Sequence, residues 1–229
     1  MNKAVISGDV ISSTSLTDDD RELLENSFQK LLKELSKEFN VYGRIIKGDY
    51  IECVIPEPQN ALRVALAVKS FVKAIPLSNN SLYKNNNKIK LFKTHGIRLA
   101  IGYGELTRFD REKGIIDGEA IYLSGRLINE FSTHNKKRIV IKNTLNFVSN
   151  EEELDKVFDP LFSLLDVLIS KATSRQSEVL YLKLLYNSED TIAKKLKISQ
   201  SVVNQHSTSL GWNSIEKAVD YFNKVISNY

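Results

Sequence analysis

The sequence predicts an α+β fold of order β-α-β-β-α-β, then α-β, followed by a wholly helical C-terminal segment. Three observations carry this. β-branched runs recur at Lys3–Ser7, Val41–Ile46, Tyr50–Ile55 and Gly96–Leu106. Stretches whose apolar residues recur every three or four positions lie between them. From about residue 150 onward, strand-like runs cease.

Lys3–Ser7 is short and apolar, as a buried strand requires, and Gly8-Asp9 ends it. Thr17 precedes Asp18-Asp19-Asp20, acids that favour the first turn of a helix, and Leu24, Phe28, Leu31, Leu35 and Phe39 carry that helix to Asn40. Gly48-Asp49 reads as a tight hairpin turn between Val41–Ile46 and Tyr50–Ile55. Pro56 and Pro58 close the hairpin, and Ala61 to Val72, apolar over a wide arc, form a second helix suited to packing flat on a sheet. Ser78–Lys90, rich in Ser, Asn and Lys, reads as a surface loop. Gly96–Leu106 is a central strand ending at glycines whose use is close backbone packing, Thr107–Lys113 a charged loop, Glu119–Phe131 a third helix and Arg138–Ile141 a last strand. Together these make a ferredoxin-like α+β sandwich with its helices on one face.

Glu151–Ile169 is a helical connector. Beyond it, a short helix carrying Ile192, Ala193 and Leu196 is followed by a turn at Lys197-Ile198-Ser199 and by a second helix that buries Val202 or Val203. Ser199 is placed to cap that helix. This is helix-turn-helix architecture, with Trp212 expected to plug its small core. The implied domains are 1–148, a connector at 149–173, and 174–229.

The net charge is +4, and residues 171–229 supply eight Lys/Arg against five Asp/Glu, a bias compatible with a nucleic-acid surface at the C-terminal end. The single cysteine, Cys53, excludes an intramolecular disulfide and reads as core filler. Three scattered histidines, His95, His134 and His206, argue against zinc, and His95 and His134 read as surface residues. There is no apolar run of membrane-spanning length and no apolar N-terminal signal, so the expected location is cytoplasmic.

Two Gly-Asp pairs point to chemistry. If the strands ending at Gly8-Asp9 and Gly48-Asp49 are sheet neighbours, Asp9 and Asp49 lie together at one edge, the minimum equipment for holding a divalent metal, Mg or Mn, against a phosphate. In the C-terminal segment, Gln200, Ser201, Asn204 and Gln205 would present polar groups to base edges, while Lys194, Lys195 and Lys197 would meet the phosphate backbone.

The stretches Gly8-Asp9-Val10-Ile11-Ser12-Ser13, Gly48-Asp49, Ile97–Glu105 and Asp117–Leu123 resemble the class III nucleotide cyclase catalytic domain. With Ile198–Gln205 leading to Gly211-Trp212, nearly the full chain resembles the SatD family, a cyclase-like domain joined to a C-terminal helix-turn-helix. The resemblance implies metal binding by Asp9 and Asp49, and a phosphate-cradling loop at Ile11, Ser12, Ser13 and Thr14. It also implies a transition-state arginine at Arg126, acting across a homodimer interface. The departures are equally specific: the lysine and aspartate that select adenine fall on Ile45 and Ile115, and an asparagine before the arginine falls on Tyr122. The leading expectation is a homodimeric DNA-binding regulator whose degenerate cyclase-like domain binds a nucleotide or metal-phosphate ligand. The alternatives are an active but divergent metal-dependent cyclase, and a dimerisation scaffold carrying a DNA-binding module.

Overall fold

The computed structural model describes residues 2–78, 86–131 and 143–229. Five strands form one sheet in the order β2-β3-β1-β4-β7: β1 Lys3–Val10, β2 Tyr42–Ile46, β3 Tyr50–Ile55, β4 Ile97–Gly104 and β7 Leu145–Val148. β1 is central and antiparallel to both β3 and β4, β2 is antiparallel to β3, and β7 runs parallel to β4. The expected strand at Arg138–Ile141 lies outside the described residues.

Register divides each strand between two faces. Ala4, Ile6 and Val10 share one face with Ile51, Cys53, Ile55, Ile97, Leu99 and Ile101, and these join the main hydrophobic core. Helices α1 (Asp18–Phe39) and α2 (Ala61–Ala74) cover this face. At Gly43 a Cβ would lie 2.4 Å from a Leu32 methyl on α1, so a larger residue there would have to displace that side chain. The other face carries Val5, Ser7, Asp9, Tyr50, Glu52, Val54, Arg98, Ala100 and Gly102. Helix α4 (Glu119–Phe131) crosses it, with the Ser7 and Ser124 hydroxyls 2.8 Å apart. A Cβ on Gly102 would sit 2.1 Å from the Ala120 carbonyl oxygen, so the close approach of α4 depends on that glycine. The helices therefore lie on both faces, not one, because Ala100 and Gly102 are small enough to seat a helix.

Two stretches expected to be loops are ordered. Residues Leu106–Asp110 (β5) and Ile115–Gly118 (β6) form a two-stranded arm, where a charged loop was expected at Thr107–Lys113. Within the expected loop Ser78–Lys90, helix α3 (Asn87–His95) begins behind an Asn86 cap and buries Ile89 and Phe92; residues 79–85 are outside the described set. His95 is half-buried rather than a surface residue, its Nδ1 enclosed without a partner among the described residues; His134 lies outside them. Cys53 is fully buried, and burial pushes its thiol up to about 12.

Helix α5 (Glu152–Ser170) packs on β7, and α6 (Ser174–Leu184) packs on α2. α7 (Glu189–Leu196), α8 (Gln200–Leu210) and α9 (Trp212–Ile226) complete the chain. The main core runs from the sheet through α2 into α6–α9 without a break across residues 148 and 173. Phe222 of α9 is its C-terminal hub, with its ring centroid 4.7 Å from that of Phe158 and 5.8 Å from that of Phe147. Trp212 packs against this core while only partly buried, beneath the Lys183 ammonium, and Phe222 is the fully buried aromatic of helices α6–α9. α2 is buried nearly all round, sheet on one side and α6 on the other.

That burial includes Lys69, with no exposed surface at all. Its ammonium donates to the Ile97 carbonyl (3.0 Å) and Thr144 Oγ1 (2.6 Å), and pairs with Asp166 of α5 at 3.1 Å. Asp166 also accepts the Thr144 amide and hydroxyl, both at 2.6 Å. Burial alone would raise the Asp166 carboxyl, but Lys69 and Thr144 together hold it below the usual carboxylate range. One turn along α2, Lys73 donates to the carbonyls of Thr94 and Ser170, at 2.5 and 2.9 Å. Its pKa falls to about 8, through burial first and then the neighbouring Lys69 charge.

Candidate functional site

Asp9 and Asp49 come from adjoining strand ends, and the Val10 amide donates to the Asp49 carbonyl at 3.0 Å. The turn is three residues long, Lys47-Gly48-Asp49, with Lys47 (φ 55°) and Gly48 (φ 78°) both left-handed. That conformation is where glycine is favoured.

The two carboxylates have different neighbours. Asp9, on the α4 face, accepts from Arg98 Nη1 at 3.1 Å, with both side chains nearly enclosed. Arg98 enters from β4 directly opposite Asp9. Burial lowers its pKa and the Asp9 charge raises it back in part. Arg98 Nε is buried without a hydrogen-bond partner among the described residues. Asp49 accepts from Ser13 Oγ at 2.6 Å. Ser13, Thr14, Arg21, Glu25, Lys47 and Asp49 line a cleft of about 180 Å³.

Of the expected phosphate loop, Ser13 and Thr14 reach this cleft, and Ser12 is the left-handed residue (φ 60°) that turns the chain into a short 3-10 segment, Ser13–Ser15. Ile11 does not serve as expected: its side chain is buried, and its amide donates to the Gly96 carbonyl at 3.0 Å. The donor chemistry does not assemble a metal centre for Mg or Mn. Such ions take about six oxygens in octahedral array, whereas Asp9 is engaged by a guanidinium and Asp49 by a hydroxyl. Among the described residues no three His, Cys, Asp or Glu converge.

Arg126 is exposed on α4. Ser124 faces the sheet, so Arg126, about 200° further round the helix, faces away from Asp9 of its own chain. Tyr122, one turn earlier, donates its hydroxyl to Asp117. Ile45 and Ile115 are partly buried and apolar, offering a base edge no hydrogen bond.

At the other end of the molecule, α7 stops at Lys197, whose left-handed φ of 54° closes the helix. Ser199 caps α8, accepting from the Val202 amide at 3.4 Å. Val203, Ser207 and Leu210 turn inward, and Gln200, Ser201, Asn204, Gln205 and Thr208 stay exposed. Of the two candidates for the inward position, Val203 is fully buried and Val202 partly so. Lys194, Lys195 and Lys197 are also exposed; Lys195 donates to Asn187 Oδ1 at 2.7 Å and Lys194 lies 3.7 Å from Asp190.

Arg98, Arg21 and Lys47 were not among the residues expected at the site. A charge inside the apolar strand Ile97-Arg98-Leu99 is the signal that marks the first. Arg21 and Lys47 carry no such signal, since surface cations beside turns are ordinary.

No family model matches the sequence, and no curated protein matches it. Among solved structures, the chain is similar to a bacterial light-regulated adenylyl cyclase at 14% identity, covering 64% of this chain and 43% of that one, with a TM-score of 0.44. It thus spans less than half the length of that structure. A second structure of a bacterial light-regulated adenylyl cyclase gives 15% identity over 64% of this chain and 74% of that one, TM-score 0.42. A guanylyl cyclase gives 12% over 57% and 70%, TM-score 0.36. Among the described residues no helix is long and apolar enough to cross a membrane.

Proposed function

We propose that this chain is a DNA-binding regulator whose N-terminal half receives a phosphate-bearing ligand, a nucleotide being the leading class. The observation that carries the reading is α8: a capped helix behind a tight turn, buried along Val203, Ser207 and Leu210 and bare along Gln200, Ser201, Asn204 and Gln205. A helix-turn-helix presents its second helix in this way, with the N-terminal residues of that helix reaching base edges. Gln and Asn pair with adenine, and Lys194, Lys195 and Lys197 stand where the DNA backbone would pass.

The strand order β2-β3-β1-β4 around a central β1 supports a ferredoxin-like, cyclase-type reading of residues 1–148. The cleft beside Ser13, Thr14, Arg21 and Lys47 offers hydroxyls and two cations to a phosphate, set against the carboxylates of Glu25 and Asp49 in the same lining. Residues 149–173 are the connector and 174–229 the DNA reader; α6, lying on α2, joins the two. A catalytic reading has less support, because Ile45 and Ile115, the positions that would read a base, are apolar.

The test is fluorescence anisotropy of the full chain on a library of labelled duplexes, from low to physiological salt. Binding is expected to weaken steeply with salt, and Lys197→Ala to reduce the log–log slope by about one. Asn204→Ala is expected to relax preference at one base pair, with a discrimination loss of about 1–3 kcal/mol. An absence of binding at low salt would end the DNA reading.

A further inference from the structure

The outer face of α5 carries a seam that the core does not use. Glu153, Val157, Pro160, Leu164, Val167 and Lys171 follow at spacings of four, three, four, three and four, the repeat by which one helix packs along another. All six are exposed, Leu164 at 71% and Val167 at 52%. The opposite face of the same helix, Leu154, Phe158, Phe162, Leu165 and Ile169, lies in the core. A helix apolar on both sides is one covered on both sides, and contiguous exposed apolar residues mark an interaction surface.

The order of the seam identifies what covers it. It is symmetric about position 162: reversed end for end, Val157 meets Val167, Pro160 meets Leu164, and Glu153 meets Lys171. We propose that α5 pairs antiparallel with α5 of a second copy of this chain, about a twofold axis passing between Pro160 and Leu164 on the outer face. The apolar residues then meet one another, and Glu153, which lies 3.2 Å from Lys156 of its own chain, faces Lys171 of the second copy at each end. Such an interface is isologous, the same patch serving both copies. A parallel pairing would set Glu153 against Glu153 and Lys171 against Lys171, so charge alone selects the antiparallel form. The seam shares no residue with the Asp9–Asp49 edge or with the exposed face of α8, and the pairing stands whether or not those bind ligand or DNA. With six side chains from each copy against the 20–30 of a standard interface, association is weak and depends on concentration.

Sedimentation velocity of the full chain over a dilution series tests the pairing. A monomer–dimer equilibrium is expected, and Leu164→Glu is expected to raise its dissociation constant by about tenfold or more, since it places a charge in the apolar seam. Glu153→Lys alone and Lys171→Glu alone are expected to weaken the dimer, and the double exchange Glu153→Lys/Lys171→Glu to restore it. All three positions are exposed, so melting temperatures should match the wild type and separate loss of pairing from loss of fold. A chain that stays monomeric throughout, a dimer indifferent to Leu164→Glu, or single charge reversals that the double exchange does not rescue would each overturn the proposal.

Discussion

Two buried ion pairs, Lys69–Asp166 and Arg98–Asp9, sit at comparable depth and are built differently. Lys69 is surrounded by acceptors from the segments ending α3, starting β4 and preceding β7, and Asp166 takes both donors of Thr144. That pair is saturated, and its work is to tie α2, the sheet and α5 into one body. Arg98 donates to Asp9 through Nη1 and keeps an Nε–H enclosed without a partner among the described residues. Buried polar groups are nearly always satisfied, and an exception calls for a reason. Arg98 lies at the strand ends that also gather Ser13 and Asp49, so this pair borders the candidate ligand site; the Lys69 pair lies elsewhere, beside His95, whose Nδ1 is enclosed in the same way.

The largest expected effect falls on the saturated pair. Lys69→Met leaves the Asp166 carboxylate buried without its cation, and a loss of about 3–5 kcal/mol is expected in urea unfolding. Arg98→Gln should cost less, roughly 1.5–3 kcal/mol, because Asp9 stands nearer to water and one charged hydrogen bond is lost. If the two variants were equally destabilised, the contrast between the pairs would collapse.

pH sharpens the comparison further. Lys73, beside the saturated pair, titrates near 8 when folded and near 10.5 when unfolded. Between those values the unfolded chain holds the extra proton, so stability rises with pH from about 8 to 10.5. Discounted for screening, the gain is expected to be roughly 1–2 kcal/mol. Unfolding midpoints of wild type and Lys73→Met across that range should diverge, with the rise missing from the variant; parallel profiles would refute it. The smallest effect is expected at Ser124→Ala, which removes the hydrogen bond to Ser7 for about 1 kcal/mol and loosens α4 on the sheet.

How much of this was legible in the sequence depends on the range of the interaction. Helix α4 matches the expected Glu119–Phe131 at both ends. Gly118, at φ 137°, stops the strand before it, and the apolar period is complete within the helix. The β5–β6 arm was hidden because its residues are mostly exposed or half-exposed, so no apolar alternation marks it as strand. α3 was hidden for a related reason, with Ile89 and Phe92 as its only buried residues. Lys69 is out of place by composition, a lysine within an apolar arc, but its partners at 95, 97, 144 and 166 are fixed only by the tertiary fold. At the site, sequence placed Asp9 and Asp49 on neighbouring strand ends. What it could not reveal was Arg98 on the adjoining strand, which takes up Asp9 through the register of β1 with β4.

Titration calorimetry of the four nucleoside triphosphates against wild type, Lys47→Ala and Arg98→Gln, each with a metal chelator and again with Mg²⁺ or Mn²⁺, tests the central claim most directly. The account predicts that at least one nucleotide binds the wild type even with chelator. It further predicts that Lys47→Ala weakens this binding by about tenfold, as loss of a charge-assisted phosphate contact should, and that Arg98→Gln weakens it through the loosened Asp9 edge. No heat with any nucleotide, or equal binding by all three proteins, would contradict it.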